Sequence, residues 1–231
     1  MKKAVLVLGM VILFSVSAAA IEVTGFGVKA GFNSSKFTGD DFTITEPGGT
    51  SLYKTWKYSG GYSAGGFATF AINDRFSFQP ELLFTVKNNA VDYTNCEVNL
   101  TYVEIPMLFK FNFQPEGNIQ PQLYVGPYFA LKNKAKVVVD STSQAYILGE
   151  EVTGQIEVDI KNVKRSDFGI VFGTEFDFNS TIGTVIFEAR YSIGLVSILK
   201  DPAYGWNILN DDYEGADLKN NSFTFLIGYS F

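Results

Sequence analysis

Residues 222–231 alternate strictly between two kinds of side chain, one large and apolar and the other small or polar apart from Leu226. The apolar set consists of Phe223, Phe225, Ile227, Tyr229 and Phe231. Side chains of a β-strand point alternately to its two faces, so this pattern predicts a strand with one strongly apolar face. Such a face must lie either under a second protein layer or, in a barrel of the outer membrane, against lipid.

The same alternation recurs from residue 21 onward in segments of roughly nine or more residues, the length that a tilted strand needs to cross a bilayer. The eight predicted strands are Thr24–Ser34, Ser59–Ala71, Arg75–Lys87, Val98–Phe113, Ile119–Leu131, Ser166–Phe178, Thr184–Val196 and Ser222–Phe231. Three connections are tight, namely 72–74, 114–118 and 179–183, and four are longer, namely 36–58, 88–97, 132–165 and 197–221. Alternation of short and long connections is typical of an up-and-down membrane barrel whose short turns face the periplasm.

The charged residues distinguish this architecture from a soluble lipocalin-like barrel, which also has eight strands. In residues 75–87, 98–113 and 184–196, aromatic and aliphatic side chains share one face and charged side chains share the other. The aromatic faces are too bulky to fill the lumen of one eight-stranded barrel. We therefore expect aromatics outside and charges inside, in an all-β, eight-stranded antiparallel up-and-down transmembrane β-barrel over residues 21–231.

The beginning of the sequence indicates export. Lys2 and Lys3 precede an apolar run, 4–14, and the small residues 18–20 offer a cleavage site, so residues 1–20 are expected to be a cleaved signal peptide. Removing them leaves 16 basic residues against 24 acidic ones, a net charge of −8. This balance argues against nucleic acid as a partner. Cys96 is the one cysteine, so no intramolecular disulfide can form.

Six short motifs resemble those of the outer-membrane beta-barrel domain family, often called porin-like or PorT-like and common in Bacteroidetes-type bacteria. They are 27–33 (GVKAGFN), 78–84 (FQPELLF), 102–106 (YVEIP), 126–128 (GPY), 190–195 (RYSIGL) and 228–231 (GYSF). The resemblance implies an eight-stranded barrel in the bacterial outer membrane. It also implies that the terminal strand, with Phe223, Phe225, Tyr229 and Phe231, is read by the barrel-assembly machinery during biogenesis.

Three prolines lie inside predicted strands, where each removes a backbone donor from the sheet. Pro80, Pro106 and Pro127 are therefore expected at local bulges or at positions without a ladder hydrogen bond.

The predicted inward faces carry a lumenal charge network of Lys29, Glu81, Glu104, Lys110, Glu175, Glu188 and Arg190. Buried charges must pair, and we expect Glu104, Lys110 and Glu81 in one network and Glu188 with Arg190 in another. The network is either a set of ion pairs that fills a narrow barrel or a selectivity ring or proton-linked gate. The small lumen of eight strands favours the first interpretation.

No histidine occurs in the chain, which removes Ser-His-Asp triads and histidine metal sites. We therefore expect no enzyme activity, no cofactor and no metal centre.

The long loops are the better candidates for specific contacts. The last loop contains carboxylates interleaved with aromatic residues, a combination that suits a protein or glycan ligand, and its carboxylates also suit a divalent cation. The alternative is an ordinary solvated loop with rim aromatics. These candidate contact residues are Tyr204, Trp206, Asp211, Asp212, Tyr213 and Glu214. Within 132–165, two alternating segments suggest a ribbon that continues beyond the membrane and offers an edge to partner strands.

The sequence thus predicts a small integral outer-membrane barrel, surrounded by lipid, with a structural or surface-interaction role through its extracellular loops. Two alternatives stay open: a narrow porin-like channel for small solutes, and an accessory barrel of a secretion system. The second alternative rests on analogy with the family alone.

Overall fold

The computed structural model describes residues 22–39, 42–45, 51–54, 56–91, 96–147, 150–159, 163–199 and 217–231. The predicted signal peptide lies outside these residues. The described part of the chain forms strands β1 Glu22–Gly39, β2 Phe42–Thr45, β3 Ser51–Lys54, β4 Trp56–Ala71, β5 Phe76–Val91, β6 Cys96–Asn112, β7 Ile119–Ile147, β8 Glu150–Asp159, β9 Ser166–Ser180, β10 Gly183–Gly194 and β11 Leu218–Ser230. No helix among these residues is long and apolar enough to cross a membrane.

Eight of these strands close into an antiparallel barrel in the order β1-β4-β5-β6-β7-β9-β10-β11. Closure occurs at β1, where Lys29 is opposite Gly65 of β4 on one side and Gly228 of β11 on the other. A closed barrel satisfies the backbone donors and acceptors of every strand within the sheet, as a lipid environment requires. The predicted fold class is confirmed.

The two faces of the strands are sorted as the alternation predicts. In β11, Phe225 is 61% exposed on the outer face, whereas the next residue, Leu226, is 2% exposed in the lumen. Aromatic rings also contact each other across strands on the outer face, as in the pairs Phe78–Phe109 and Tyr191–Phe223. The outside of the barrel is therefore a continuous apolar surface that matches lipid.

The three tight connections are confirmed at 72–75, 113–118 and 181–182, and they mark what we call the turn end of the barrel. The first turn is held by the side chain of Asn73, whose Oδ1 accepts hydrogen bonds from the backbone nitrogens of Arg75 and Phe76, both at 2.9 Å. The other end, where the long connections lie, we call the loop end.

The strands extend further toward the loop end than the sequence predicts. The last pair of β7 with β9 is Leu131 with Ser166, yet β7 continues to Ile147. Beyond that point β7 pairs with β8, from Lys136 opposite Asp159 to Ile147 opposite Glu150. We call residues 132–159 the loop-end ribbon. The two alternating segments in the third long connection thus do form an antiparallel pair.

Of the two outcomes expected at the prolines, the structure shows interrupted pairing and not bulges. The register runs without a shift past Pro80, Pro106 and Pro127. Cross-strand pairing is interrupted instead. Between β5 and β6 the gap lies between the paired residues Pro80 and Leu83, and between β6 and β7 it lies between the paired residues Pro106 and Phe109. Because neighbouring strands hold the backbone in line on both sides, the missing proline donors leave unpaired positions without inserting a residue.

Candidate functional site

All seven charged side chains singled out in the sequence lie on the inner face of the barrel, with exposed fractions of 8% or less. Six of them contact one another near the middle of the lumen. We call these six the central ion network: Lys29, Glu81, Lys110, Glu175, Glu188 and Arg190.

Lys29 is the hub of this network. Its Nζ donates hydrogen bonds to Glu188 Oε2 at 2.7 Å and to Glu81 Oε1 at 2.8 Å, and it lies 3.6 Å from Glu175 Oε2. The ammonium group also lies 4.7 Å from the ring centroid of Phe67. Three carboxylates from three different strands thus share one cation, so the network ties together distant parts of the sheet.

Arg190 and Lys110 complete the network. Arg190 Nη1 is 2.9 Å from Glu81 Oε2, and its guanidinium also pairs with Glu188. Lys110 pairs with Glu175. The three cations and three carboxylates balance in charge, which is what burial of so many ions requires.

Neutral side chains add hydrogen bonds to several of the ions. Gln79 bridges two of them, because its Nε2 donates to Glu81 Oε1 at 2.8 Å and its Oε1 accepts from Lys110 Nζ at 2.9 Å. The hydroxyl of Tyr124 donates to Glu188. The sequence analysis did not identify these two uncharged partners of the ions, although Gln79 shares a face with Glu81 at a spacing of two residues.

The grouping of the charges expected from the sequence is confirmed for Glu188 with Arg190 and wrong for Glu104. Glu81 belongs with Glu188 and Arg190, and Glu104 contacts none of the six. Glu104 and Lys110 are six residues apart on one extended strand, a separation of about 20 Å. Glu104 pairs instead with Lys87, whose Nζ lies 2.6 Å from its Oε1.

A second polar group lies between the central ion network and the loop end. We call it the upper cluster: Lys87, Tyr102, Glu104, Tyr128, Asp167 and Asn220. Lys87 Nζ lies 5.7 Å from the ring centroid of Tyr102 and 5.3 Å from that of Tyr128. The Nδ2 of Asn220 donates to Tyr102 Oη at 3.1 Å and to Asp167 Oδ2 at 3.0 Å. Of these six residues, the sequence analysis singled out only Glu104 as a lumenal site.

Apolar side chains fill the lumen at the loop end. We call this group the apolar cap: Phe37, Trp56, Val98, Leu100, Val163, Ile198, Leu199 and Leu218. The rings of Phe37 and Trp56 meet edge to face at 4.7 Å. Val163 and Leu199 form a β-bridge, and Ile198 N donates to Leu218 O at 2.8 Å, so segments from two long connections cross the cap.

The turn end of the lumen is open and hydrophilic. A cavity of about 870 Å³ is lined there mainly by hydroxyl, amide and charged side chains. It reaches Gln79, Lys110 and Glu175, so its inner wall is the central ion network itself. Above that wall lie the upper cluster and then the apolar cap.

The remaining predicted sites are placed as follows. Phe223, Phe225 and Phe231 of the terminal strand are exposed on the outer face. The candidate loop contacts Tyr204, Trp206, Asp211, Asp212, Tyr213 and Glu214 lie outside the described residues. Within the described ranges, no group of three or more His, Cys, Asp or Glu side chains could hold a metal ion.

Comparison with solved structures agrees with the architecture. The outer membrane protein OprG from Pseudomonas aeruginosa is 12% identical, with a TM-score of 0.51 over 91% of this chain and 97% of that one. Neisserial surface protein A is 14% identical, with a TM-score of 0.43 over 91% of this chain and 99% of its own. The outer membrane protease OmpT from Escherichia coli is 12% identical, with a TM-score of 0.45 over 94% and 99% of the two chains. At these identities the likeness concerns the fold alone.

No protein of curated function matches the sequence significantly. The family model of the outer membrane protein beta-barrel domain, by contrast, matches residues 23–200, well over half of the chain. Together with the closed barrel and its apolar exterior, this match identifies the chain as a small β-barrel protein of the bacterial outer membrane that belongs to the outer membrane protein beta-barrel domain family.

Proposed function

We propose that this protein is a non-conducting outer-membrane barrel that holds its loop-end ribbon at the cell surface for contact with a protein partner. The observation that carries the proposal is the ion pair between Arg190 and Glu81. These residues lie on β10 and β5, which are separated by three strands in either direction around the barrel. An ion pair between opposite walls supports a lumen that is closed to water at that level.

The layers above the ion pair support the same conclusion. A solute that entered from the turn end would have to separate the central ion network, then pass the upper cluster and then displace the apolar cap. Separating a buried ion pair is expensive because each ion is left uncompensated in a medium of low dielectric constant. In this proposal the lumen is a rigid core that stabilises the barrel, and the function is assigned to the extracellular surface.

The loop-end ribbon is the element that such a barrel would present. β7 runs 16 residues past its last pair with β9, from Leu131 to Ile147. Among the described residues, β8 pairs with β7 alone, so the other edge of β8 has backbone donors and acceptors to offer. Edge strands of this kind bind extended segments of a partner by adding a strand. A protein partner with an extended segment fits this edge, and a glycan contact at the loops would be a different outcome of the binding test.

A narrow channel is the second candidate, because the hydrophilic cavity of about 870 Å³ reaches Lys110 and Glu175 from the turn end. Single-channel recording in planar bilayers separates the two. We expect the folded wild-type barrel to be silent, and a variant with Lys29→Ala and Arg190→Ala to show openings if it folds. Steady ion-selective openings of the wild type that change with Lys110→Gln would overturn the closed-barrel proposal in favour of the channel.

The surface role is tested by trimming the ribbon. Replacing residues 141–154 with Asn-Gly joins Asp140 to Gln155, which face each other in the register. The trimmed barrel should fold and stay silent. A photo-crosslinking residue on β8 should give one defined protein adduct on intact cells, and the same residue at outward-facing Val125 of β7 should not. Adducts of equal intensity at both positions would remove the case for a partner at the ribbon, and a glycan adduct would assign the contact to carbohydrate.

A further inference from the structure

The buried charges of the lumen do not balance. Among the described residues, nine charged side chains are at least nine-tenths buried, four basic and five acidic. The central ion network contains three of each, and Lys87 with Glu104 contributes one more of each. The remaining carboxylate is Asp167, which is 1% exposed. None of the ion pairs formed by the described residues includes it.

The hydrogen-bond donors to Asp167 are neutral, and Lys87, the base that interacts electrostatically with it, is already paired with Glu104. Its Oδ1 accepts from the backbone nitrogen of Phe168 at 2.8 Å, and its Oδ2 accepts from Asn220 Nδ2 at 3.0 Å. Two neutral donors orient a carboxylate but do not cancel its charge. An isolated carboxylate in a medium of low dielectric constant is costly, and structures normally compensate it with a cation.

Several oxygen atoms around Asp167 also have no hydrogen-bond partner in the described part of the chain. They include Oδ1 of Asn220, which is fully buried, and the hydroxyl of Tyr128, which is 2% exposed. The Tyr128 ring lies against Gly169, two residues along β9 from Asp167, since a Cβ built on Gly169 would be 2.5 Å from its Cε1. Tyr102 Oη joins the group through Asn220. Buried polar atoms without partners are rare in folded proteins, so these two oxygens, of Asn220 and Tyr128, are available to a bound water or ion.

We propose that Asp167, Asn220, Tyr128 and Tyr102 form an all-oxygen binding site for one monovalent cation, such as Na⁺ or K⁺, under the apolar cap. Carboxylate, amide and hydroxyl oxygens are the ligands that hard cations prefer. The charge selects a monovalent ion, because a single positive charge brings the buried groups to neutrality. A divalent ion would leave one positive charge in excess, since Asp167 is the one fully buried carboxylate among the described residues that forms no ion pair.

The site is tested by the stability of the barrel folded into zwitterionic detergent micelles. Urea unfolding is measured at fixed pH and fixed ionic strength while NaCl or KCl replaces the chloride salt of tetramethylammonium, a cation too large for the site. A ligand that binds only the folded state stabilises it by mass action. Once free Na⁺ or K⁺ is well above the Kd of the site, each further tenfold rise should raise the ratio of folded to unfolded protein by about tenfold.

Two variants and a matched control make the result specific. Asp167→Asn should abolish the dependence on cation identity, and Tyr128→Phe should shift it to higher concentrations. Asp177→Asn removes a half-buried carboxylate of the same strand at the open turn end, and it should leave the dependence unchanged. Wild-type stability that is equal in all three salts would overturn the proposal. An unchanged dependence in Asp167→Asn would overturn it as well.

Discussion

Arg190 Nη1 and Glu81 Oε2 lie 2.9 Å apart although their strands face each other across the full width of the barrel. Neighbouring strands are already joined by backbone hydrogen bonds, so an ion pair between them adds little to the shape of the sheet. A pair between opposite walls is different, because it couples parts of the barrel that no ladder connects. Lys29 has a similar effect over shorter spans, since Glu81 and Glu188 each lie two strands away from it.

Removing the arginine from this pair should destabilise the barrel strongly. We expect Arg190→Ala to lower the free energy of unfolding by about 3–5 kcal/mol, because Glu81 and Glu188 keep their charges in a buried site. Urea unfolding in lipid vesicles measures the change. Lys219→Ala is the control, since its pair with Asp217 is 35% and 49% exposed and should contribute less than about 1 kcal/mol. Equal losses in the two variants would contradict the cross-lumen role.

The apolar cap should contribute to stability as a protein core does. Leu199 is fully buried in it, so Leu199→Ala should cost about 2–5 kcal/mol through lost apolar burial and the cavity left behind. The same measurement on Ile182→Ala, at a turn residue that is 82% exposed, should give a change within about 0.5 kcal/mol. If Leu199→Ala left the free energy of unfolding unchanged, the apolar cap would have to be loosely packed.

Aromatic rings inside the lumen lie against glycines of the next strand. A Cβ built on Gly173 would be 2.4 Å from Tyr124 Oη and 2.3 Å from the backbone oxygen of Ala189, so Gly173→Ala should cost about 1–3 kcal/mol by overpacking. Gly60 has no atom within 4 Å of the corresponding position. Gly60→Ala should therefore be neutral or slightly stabilising. Thermal unfolding of the two variants side by side tests the packing, and a reversed order would refute it.

The outer face should behave as a lipid-contacting surface. Phe225 is 61% exposed there, and Phe225→Arg should cost about 2–4 kcal/mol in a bilayer if the residue lies near the midplane. Phe225→Leu keeps the surface apolar and should cost much less. The comparison is made by unfolding both variants in lipid vesicles. If the arginine variant matched the leucine variant, the residue would not face the hydrocarbon region.

Several features of the candidate site could be predicted from the sequence because they depend on local alternation. Side chains of a strand change faces at every residue, so Glu188 and Arg190 had to share a face, and Phe187 had to take the other. Lys87 could have been found in the same way, since it shares a face with Glu81. The partners of each charge could not be predicted, because they depend on the stagger between strands, which is set by the whole barrel.

Residues near the loop end show most clearly which contacts could not be predicted from the sequence. Phe37, Trp56, Ile198 and Leu199 fall within predicted loops, yet the structure buries them in the apolar cap. Their burial follows from the extension of β1 and β4 and from the crossing of two long connections, neither of which leaves a periodic signal. Asp167, near the start of a predicted strand, likewise carries no signal in the sequence. Its burial, and the absence of an ion pair to it among the described residues, follow only from the closed barrel.

Period-two alternation acts over a few residues, so the amino-acid sequence was enough to predict the barrel, its membrane-facing exterior and the inward direction of its charges. The tertiary structure alone decided that Arg190 meets Glu81, that Glu104 meets Lys87 and that the loop end is filled by apolar side chains. The Arg190–Glu81 contact joins opposite walls, whereas the Glu104–Lys87 contact joins the neighbouring strands β6 and β5. Each depends on how closure of the sheet and the stagger of its strands place side chains of different strands against each other.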